Sequence, residues 1–247
     1  LREQLPVVNR PGNKPRARVA FFTGCLENYF YTDIGHAVVN VLLANDVEVI
    51  IPKEQHCCGI PALMHGDVKT AREMAASNLE TFRRYDIDYL VVACATGGTA
   101  WKHYYPELLT EGLLEAASET MAAKALDINE LLLKINYRRP EATLPLKVTY
   151  HDPCHLVRGQ GVKEEPRQIL QSIPGVELHE MKIADRCCGS AGSFSLTDYD
   201  MSMKVQDHKV AAIKATGADT VVTSCPACRM QLEDGLAQAG VIPQVLH

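Results

Sequence analysis

The sequence predicts an α/β fold in which parallel sheets are covered by helices. One observation is that short apolar runs alternate with amphipathic stretches, a pattern typical of alternating strands and helices. A second is that the triplet Cys-Cys-Gly occurs twice, at residues 57–59 and 187–189. A third is that four other cysteines each follow an apolar run directly. In parallel sheets such positions lie at the carboxyl ends of strands, where ligands collect.

The first half of the chain contains the first set of predicted elements. Its apolar runs predict three strands, over residues 18–22, 47–51 and 89–93. Apolar residues at helical spacing predict four helices, over residues 33–43, 67–85, 106–123 and 127–134. We expect the Asp33 side chain to cap the first of these helices.

The same pattern begins again near residue 146. Three strands are predicted over residues 147–150, 176–181 and 220–223, and two helices over residues 165–172 and 196–216. The first and last of these strands run into cysteines, as their counterparts in the first half do.

The cysteine spacing predicts an internal duplication. Matching cysteines are 129, 130 and 131 residues apart, in the pairs Cys25/Cys154, Cys57/Cys187 and Cys94/Cys225. We therefore predict two Rossmann-like units related by a repeat of about 130 residues. The predicted boundaries are a linker over 1–15, a first repeat over 16–135, a linker over 136–145 and a second repeat over 146–247. Since the chain opens inside a linker and the second repeat stops where a helix is expected, we expect a piece of a longer polypeptide.

Composition excludes several classes of function. The net charge of −5 and the pI near 6.0 leave no basic footprint for nucleic acid. No apolar run approaches the roughly 18 to 20 residues needed to span a bilayer, and there is no signal peptide. The nine cysteines are an odd number and cannot all pair in disulfides. We therefore expect a cytoplasmic, reducing location, where cysteine clusters are more often metal or redox centres.

The second repeat supplies five candidate ligands: Cys154, Cys187, Cys188, Cys225 and Cys228. Iron–sulfur clusters and zinc both take thiolate ligands, and a cubane [4Fe-4S] cluster or a structural zinc is saturated by four. An enlarged or asymmetric cluster would use all five. Zinc held by four of them is one alternative, and cysteines that only pack are another.

The first repeat supplies four candidate ligands: Cys25, Cys57, Cys58 and Cys94. Where the second repeat has Cys-Pro-Ala-Cys at residues 225–228, the first has Cys-Ala-Thr-Gly at residues 94–97. Four thiolates suffice for a cubane cluster or another metal. An empty site that only keeps the fold is the alternative.

Three histidines, His56, His151 and His155, lie beside cysteines in the sequence. Each is placed to donate a hydrogen bond to a cluster sulfur or to bind a metal. Each fits equally well as a loop histidine bonded to the backbone, so none is assigned as a ligand. Arg186 is either a charge that offsets a cluster or a solvated loop residue.

The five-cysteine spacing resembles the cysteine-rich CCG domain, which usually occurs as a tandem pair, and the resemblance covers residues 16–247. His-Asp-Pro-Cys-His at residues 151–155 and Cys-Cys-Gly-Ser-Ala-Gly-Ser-Phe at residues 187–194 look most like the glycolate oxidase iron–sulfur subunit. Lactate-utilisation and anaerobic glycerol-3-phosphate dehydrogenase subunits are similar. By resemblance to the CCG-containing subunit of heterodisulfide reductase, the five cysteines of the second repeat would carry a noncubane [4Fe-4S] cluster.

The resemblance implies an electron-transfer subunit of a respiratory 2-hydroxy-acid dehydrogenase. A flavoprotein partner would oxidise a substrate such as glycolate or lactate, and this chain would pass the electrons toward a quinone or another carrier. A ferredoxin-like iron–sulfur domain or subunit is the second expected partner, and any membrane association would be peripheral and through partners. The alternatives are a thiol–disulfide reductase of the heterodisulfide type and a zinc-stabilised assembly module. No catalytic residue is assigned.

Overall fold

The computed structural model describes residues 1–241 and 243–247. The chain divides into two compact units, Leu1–Arg138 and Arg139–His247, each with its own sheet. Both units are α/β structures in which helices pack on a mainly parallel sheet, as the sequence predicts. Among the described residues, no helix combines the length and the apolarity that crossing a membrane requires.

The first unit has a five-stranded sheet. Its strands are β1 (Val8–Asn9), β2 (Ala17–Phe22), β3 (Val47–Ile50), β4 (Tyr89–Val92) and β5 (Ala125–Asp127). The order across the sheet is β1-β3-β2-β4-β5, and every pairing is parallel except that of β1 with β3. The three predicted strands are confirmed as β2, β3 and β4. Residues 1–15, predicted as a linker, contain β1, and the short strand β5 was not predicted.

Eight α-helices lie around this sheet. They are α1 (Cys25–Tyr29), α2 (Thr32–Ala44), α3 (Ile60–Met64), α4 (Val68–Phe82), α5 (Ala95–Thr99), α6 (Tyr105–Leu108), α7 (Gly112–Lys124) and α8 (Ile128–Lys134). Three predicted helices are confirmed as α2, α4 and α8. The predicted cap was wrong: Asp33 lies in the first turn of α2, and Tyr31 is the N-cap.

The helix predicted over residues 106–123 was wrong in its start and in its continuity. Helical structure begins directly after Cys94 with α5 and continues into α6 through a π-helical turn, Ala100–Tyr104. It then breaks before α7, because Leu109 has φ −111° and ψ 64° and Gly112 has a φ of 63°. The glycines at 97 and 98 concealed this early start, since glycine is a poor helix former.

Four aromatic side chains, Phe22, Phe82, Trp101 and Tyr105, lie in the core of the first unit, and each is at most 1% exposed. The Phe22 ring centroid lies 5.9 Å from that of Phe82 and 5.6 Å from that of Trp101. The Trp101 and Tyr105 centroids are 4.7 Å apart. This cluster packs the end of β2, three residues before Cys25, against α4, the π-helical turn and the start of α6.

The second unit has a four-stranded, fully parallel sheet. Its strands are β6 (Leu146–His151), β7 (Val176–Leu178), β8 (Thr220–Thr223) and β9 (Gln244–Leu246), in the order β7-β6-β8-β9. Its helices are α9 (Cys154–Gln160), α10 (Glu164–Gln171), α11 (Phe194–Thr197), α12 (Tyr199–Lys214) and α13 (Pro226–Gln238).

The prediction for the second unit holds for β6, β8 and α10 and differs elsewhere. The predicted strand over 176–181 stops at Leu178, and the predicted helix over 196–216 is two helices separated at Asp198. The helices α9 and α13 and the strand β9 were not predicted. Both missed helices begin at cysteines that we interpreted only as site residues, and Pro226 in the first turn is a favourable helix start.

The two sheets correspond strand by strand once β1 is set aside. The order β3-β2-β4-β5 matches β7-β6-β8-β9. Phe22 pairs with Val92 across β2 and β4, and His151 pairs with Thr223 across β6 and β8, so Phe22 and His151 hold equivalent positions. This correspondence supports the predicted internal duplication.

A buried carboxyl in the first unit gives a pH-dependent stability that can be measured. Asp127 is the N-cap of α8, and its side chain accepts a hydrogen bond of 2.9 Å from the Asn129 N–H. Burial raises the pKa of the Asp127 carboxyl to about 6. Since the pKa of an unfolded aspartate is about 4, the folded chain binds more protons between these values. Its stability therefore falls as the pH rises from about 4 to about 6.

Asp127→Asn keeps a capping side chain but cannot ionise. We expect the wild type to lose on the order of 3 kcal/mol relative to this variant as the pH rises across that window. Urea unfolding followed by the fluorescence of Trp101, the only tryptophan, measures this. Asp67→Asn is the control, because the Thr70 N–H lowers the pKa of the exposed Asp67 carboxyl and reverses the sign. Parallel pH profiles for the wild type and Asp127→Asn would contradict the expectation.

Candidate metal centre

The five cysteines of the second unit come from three segments at the carboxyl edge of its sheet. Cys154 is the first residue of α9 and follows β6 closely, while Cys187 and Cys188 lie in the loop after β7. Cys225 is the N-cap of α13, just after β8, and Cys228 is in the first turn of that helix. Because β6 pairs in parallel with both β7 and β8, the three segments leave the sheet at one edge.

The structure brings all five thiols of this unit into one connected group. Side-chain hydrogen bonds link Cys154 to Cys187, Cys187 to Cys188, Cys188 to Cys228 and Cys228 to Cys225. Cys188, Cys225 and Cys228 are buried, and Cys154 and Cys187 are partly exposed. The structure therefore brings together the five cysteines whose convergence the sequence predicts.

The electrostatics of the group favour a bound cation. Hydrogen bonds from the Cys154 and Cys188 thiols lower the pKa of Cys187 to about 2, and the Gly189 N–H also lies 3.4 Å from its sulfur. The neighbouring Cys187 in turn raises the pKa of Cys188 to about 12 and raises that of Cys154. Cys187 thus deprotonates readily, whereas its neighbours Cys154 and Cys188 are kept protonated. All five can ionise together only if a metal or cluster supplies positive charge among them.

His151 is the histidine that the structure places at this group. It is 0% exposed, and a ring nitrogen lies with the sulfurs of Cys188 and Cys228 in a set whose members are all within 4.8 Å of one another. Burial, together with the charge of Lys209, lowers the pKa of His151 to about 3. By contrast, His155 Nδ1 lies 3.8 Å from the Cys154 sulfur at the partly exposed side, and His56 is exposed.

Lys209 is a site residue that the sequence analysis missed. It is 1% exposed on α12, and its ammonium donates hydrogen bonds to the carbonyls of Ile183 at 2.6 Å and Ala184 at 3.1 Å. Burial lowers the pKa of Lys209 to about 8, against the opposing charge of Cys188. Lys209 therefore lies close enough to offset the negative charge of thiolates, whereas Arg186, considered for that role, is exposed.

A buried ion pair holds the segment between β6 and Cys154. The Arg167 guanidinium on α10 donates two hydrogen bonds to the Asp152 carboxylate, at 2.8 and 2.9 Å. It also bonds Glu180, at 2.6 and 3.1 Å. These three residues line a cavity of about 520 Å³ beside the site. Because Asp152 is 1% exposed and two residues from Cys154, this pair fixes the start of α9.

We expect Arg167→Val to destabilise the chain by about 3–5 kcal/mol, because it leaves the Asp152 carboxylate buried without its cation. The double variant Asp152→Thr with Arg167→Val copies Thr23 and Val38, which stand 129 residues earlier. It should lose less stability than the single variant, since no charge is left buried. Urea unfolding followed by far-UV circular dichroism compares them. Equal losses would show that the ion pair is not the cause.

The cysteines of the first unit form a smaller group. Side-chain hydrogen bonds link Cys57 to Cys25 and Cys58 and lower the pKa of Cys57 to about 2. Cys94 is the N-cap of α5, and a Cβ atom placed on Gly24 would lie 3.6 Å from the Cys94 Cβ, so Cys94 lies close to the segment before Cys25. The four predicted residues therefore lie in one region, but no fifth thiol is available.

Aromatic side chains take the place of the missing thiol. Gly97 holds the position equivalent to Cys228, and a Cβ atom there would lie 3.3 Å from the Phe22 ring and 3.2 Å from Val92. The Tyr105 hydroxyl donates to the Cys58 carbonyl at 3.2 Å. The wall of the first site is thus apolar where the second carries His151 and Cys228.

Each Cys-Cys-Gly triplet ends in a left-handed glycine. The φ angle is 80° at Gly59 and 102° at Gly189, a region that favours glycine. A Cβ atom on Gly189 would lie 2.6 Å from the Ser202 carbonyl oxygen of α12. The glycine therefore lets the triplet lie directly against the helix.

We expect Gly189→Ala to lower the thermal midpoint of the second unit more than Gly192→Ala does. Both positions have positive φ and carry a strain of about 1–3 kcal/mol for alanine. Only Gly189 adds a backbone clash, since nothing lies within 4 Å of a Cβ on Gly192. Far-UV circular dichroism melts measure the difference, and equal midpoints would mean that the close approach is not needed.

The fold and the two cysteine groups define a duplicated cysteine-rich α/β protein with a thiolate-rich site at the carboxyl edge of each sheet. Residues 19–100 and 148–233 match the cysteine-rich domain called CCG, and the two ranges contain all nine cysteines. The chain belongs to the CCG cysteine-rich domain family, which confirms the resemblance identified from the sequence.

Several curated relatives are named as iron–sulfur, fumarate reductase or lactate utilization proteins. The chain is 37% identical over 235 residues to the probable glycolate oxidase iron–sulfur subunit of Bacillus subtilis, covering 93% of this chain and 52% of that protein. It is 36% identical over 230 residues to one subunit of the fumarate reductase (CoM/CoB) of Methanothermobacter marburgensis, covering 93% and 44%. It is 31% identical over 233 residues to lactate utilization protein A of Geobacillus thermodenitrificans, covering 93% and 96%.

The chain spans about half the length of the first two of these relatives. A solved structure, that of a hypothetical protein from Helicobacter pylori, superposes with a TM-score of 0.62 at 9% identity and covers 96% of this chain and 49% of that one. It supports the α/β fold alone. The cysteine-rich family and the names of these relatives together support an iron–sulfur cluster.

Proposed function

We propose that the chain is the iron–sulfur electron-transfer part of a respiratory 2-hydroxy-acid dehydrogenase of the glycolate or lactate type. Electrons would arrive from a flavoprotein partner, with a ferredoxin-like iron–sulfur domain or subunit in the same assembly, and leave toward a quinone or another carrier. The assembly would lie in the cytoplasm, with any membrane association through its partners. The observation that carries the proposal is the connected group of five thiols in the second unit, with Lys209 beside it.

The donor set fits an iron–sulfur cluster. Soft thiolates bind iron–sulfur clusters or zinc, and five exceed the four that zinc or a cubane cluster takes. We propose that a single noncubane [4Fe-4S] cluster is held by Cys154, Cys187, Cys188, Cys225 and Cys228. When bound, such a cluster supplies one-electron chemistry.

The protein's own groups would balance the negative charge of the thiolates and keep water away from the cluster. Lys209 brings a cation to the sulfurs without contact with solvent, and burial of Cys188, Cys225 and Cys228 shields three thiolates. Hydrogen bonds and nearby charges are among the factors that set the potential of a cluster. The partly exposed Cys154 and Cys187 mark the side from which an electron partner would approach.

The first unit argues for one cluster rather than two. Its fifth position is Gly97, packed against Phe22, so the set of five thiolates is not repeated. Disulfide reduction at paired clusters is therefore the less favoured function. It is kept as a second candidate because the relative from Methanothermobacter carries CoM/CoB in its name.

The test is the iron, sulfide and zinc content, with EPR, of protein purified without oxygen. We expect about four irons per chain in the wild type. Cys188→Ser should abolish the cluster, whereas Cys58→Ser, at the same place in the other triplet, should keep it.

Each other outcome points elsewhere. About eight irons would mean two clusters and would favour disulfide chemistry. Loss of iron in Cys58→Ser but not in Cys188→Ser would put the cluster in the first unit. Zinc without iron would overturn the electron-transfer role and leave a zinc-stabilised assembly module.

A further inference from the structure

The two units differ most clearly at one register position in their central strands. Phe22 ends β2 and packs its ring against Phe82 and Trp101 in an apolar core. At the equivalent position His151 ends β6, and it is equally inaccessible, with 0% exposure. A position that the fold fills with a hydrocarbon ring in one unit thus carries an imidazole in the other.

The imidazole of His151 lacks a hydrogen-bond partner among the described residues, at both ring nitrogens. An unsatisfied buried polar group costs about 1–3 kcal/mol, so native structures keep one only where a water, an ion or a chemical role accounts for it. Phe22 shows that an apolar ring fits this position of the fold. Retaining histidine here therefore points to a ligand.

The surroundings of the ring indicate what that ligand is. A ring nitrogen of His151 and the sulfurs of Cys188 and Cys228 all lie within 4.8 Å of one another. A neutral imidazole carries a lone pair on one of its ring nitrogens, which thiolates repel unless a cation lies between them.

The geometry points to His151 as a metal ligand that shares one metal with the thiolates of Cys188 and Cys228. In the loaded protein this metal is one iron of the centre, and in the cluster-free chain the same N/S/S set binds a borderline divalent ion such as Co²⁺ or Zn²⁺. The inference rests on a metal centre in the second unit, as in the proposed function, but not on cluster type or electron transfer.

His151 and Cys228 occur together, and so do their replacements. In the first unit Gly97 stands where Cys228 does, and a Cβ atom on Gly97 would meet the Phe22 ring at 3.3 Å. The side chains at these two positions are thus neighbours in both units. A thiolate accompanies the imidazole, and a bare glycine accompanies the phenyl ring, as expected if the two residues of the second unit bind one metal.

The test uses cluster-free, fully reduced chain loaded with Co²⁺ and examined by X-ray absorption at the cobalt edge. We expect the outer-shell scattering of a bound imidazole in the wild type and in the control His155→Phe, whose histidine is also beside a cysteine. His151→Phe, which introduces the residue of the first unit, should lose that signal. Its affinity for Co²⁺ should fall at least about tenfold, since even outer-shell partners contribute about 10–100-fold.

Cobalt bound in the wild type by sulfur alone, or an imidazole signal that persists in His151→Phe, would overturn the inference. If His151→Phe does not fold, as judged by circular dichroism, His151→Gln decides in its place. An iron-loaded protein whose cobalt form lacks imidazole would overturn this inference alone. A chain that never takes up iron but binds cobalt through imidazole would overturn the iron–sulfur proposal alone.

Discussion

The parallel pairing of the two central strands in each unit is the constraint on which both sites depend. Parallel neighbours place their carboxyl ends at the same edge of a sheet, and each needs a long crossover to return. β2 with β4 and β6 with β8 therefore bring Cys25 near Cys94 and Cys154 near Cys225, although about 70 residues separate each pair. The Cys-Cys-Gly triplets join them from the third strand. The long intervals between cysteines are the lengths of these crossovers.

Concentrating thiolates at one edge creates a charge that each unit accommodates differently. In the second unit the strand positions nearest the site are polar: Thr149, His151 and Thr223 stand where the first unit has Ala20, Phe22 and Val92. Lys209 adds a buried cation there. A Cβ on Gly59 would meet the Ala71 carbonyl of α4 as one on Gly189 meets the Ser202 carbonyl of α12, and this alignment places Asn78 opposite Lys209. The Asn78 amide donates to the Cys57 carbonyl at 3.0 Å. The second unit is thus built to hold more negative charge.

Strands, helices and cysteine groups that follow from a residue pattern could be predicted from the sequence. Features that depend on how strands and helices align in the fold were missed. Six of the strands follow from apolar runs and turn residues, and the cysteine groups follow from the spacing. The edge strands β1, β5 and β9 have two or three residues, too few to show a period. The edge strand β7 is as short, and its predicted range ran three residues too far. Lys209 was missed because a lysine on a helix is normally solvated. Its burial is visible only in the folded structure. In the sequence, His151 could not be distinguished from His56 and His155 as a candidate ligand. Its burial beside Cys188 and Cys228 is visible only in the structure.

The pairing of substitutions between the units is the strongest argument that they have diverged in chemistry while keeping one backbone. Phe22 with Gly97 and His151 with Cys228 fill the same place with an apolar and a polar pair. Mixing the pairs would leave either an imidazole with one thiolate fewer or a thiol pressed on a phenyl ring. Because the two positions are in contact, a change at one of them alters the surroundings of the other. The first unit therefore keeps its four cysteines and the same strand order, while the second carries the five cysteines and the histidine proposed as ligands.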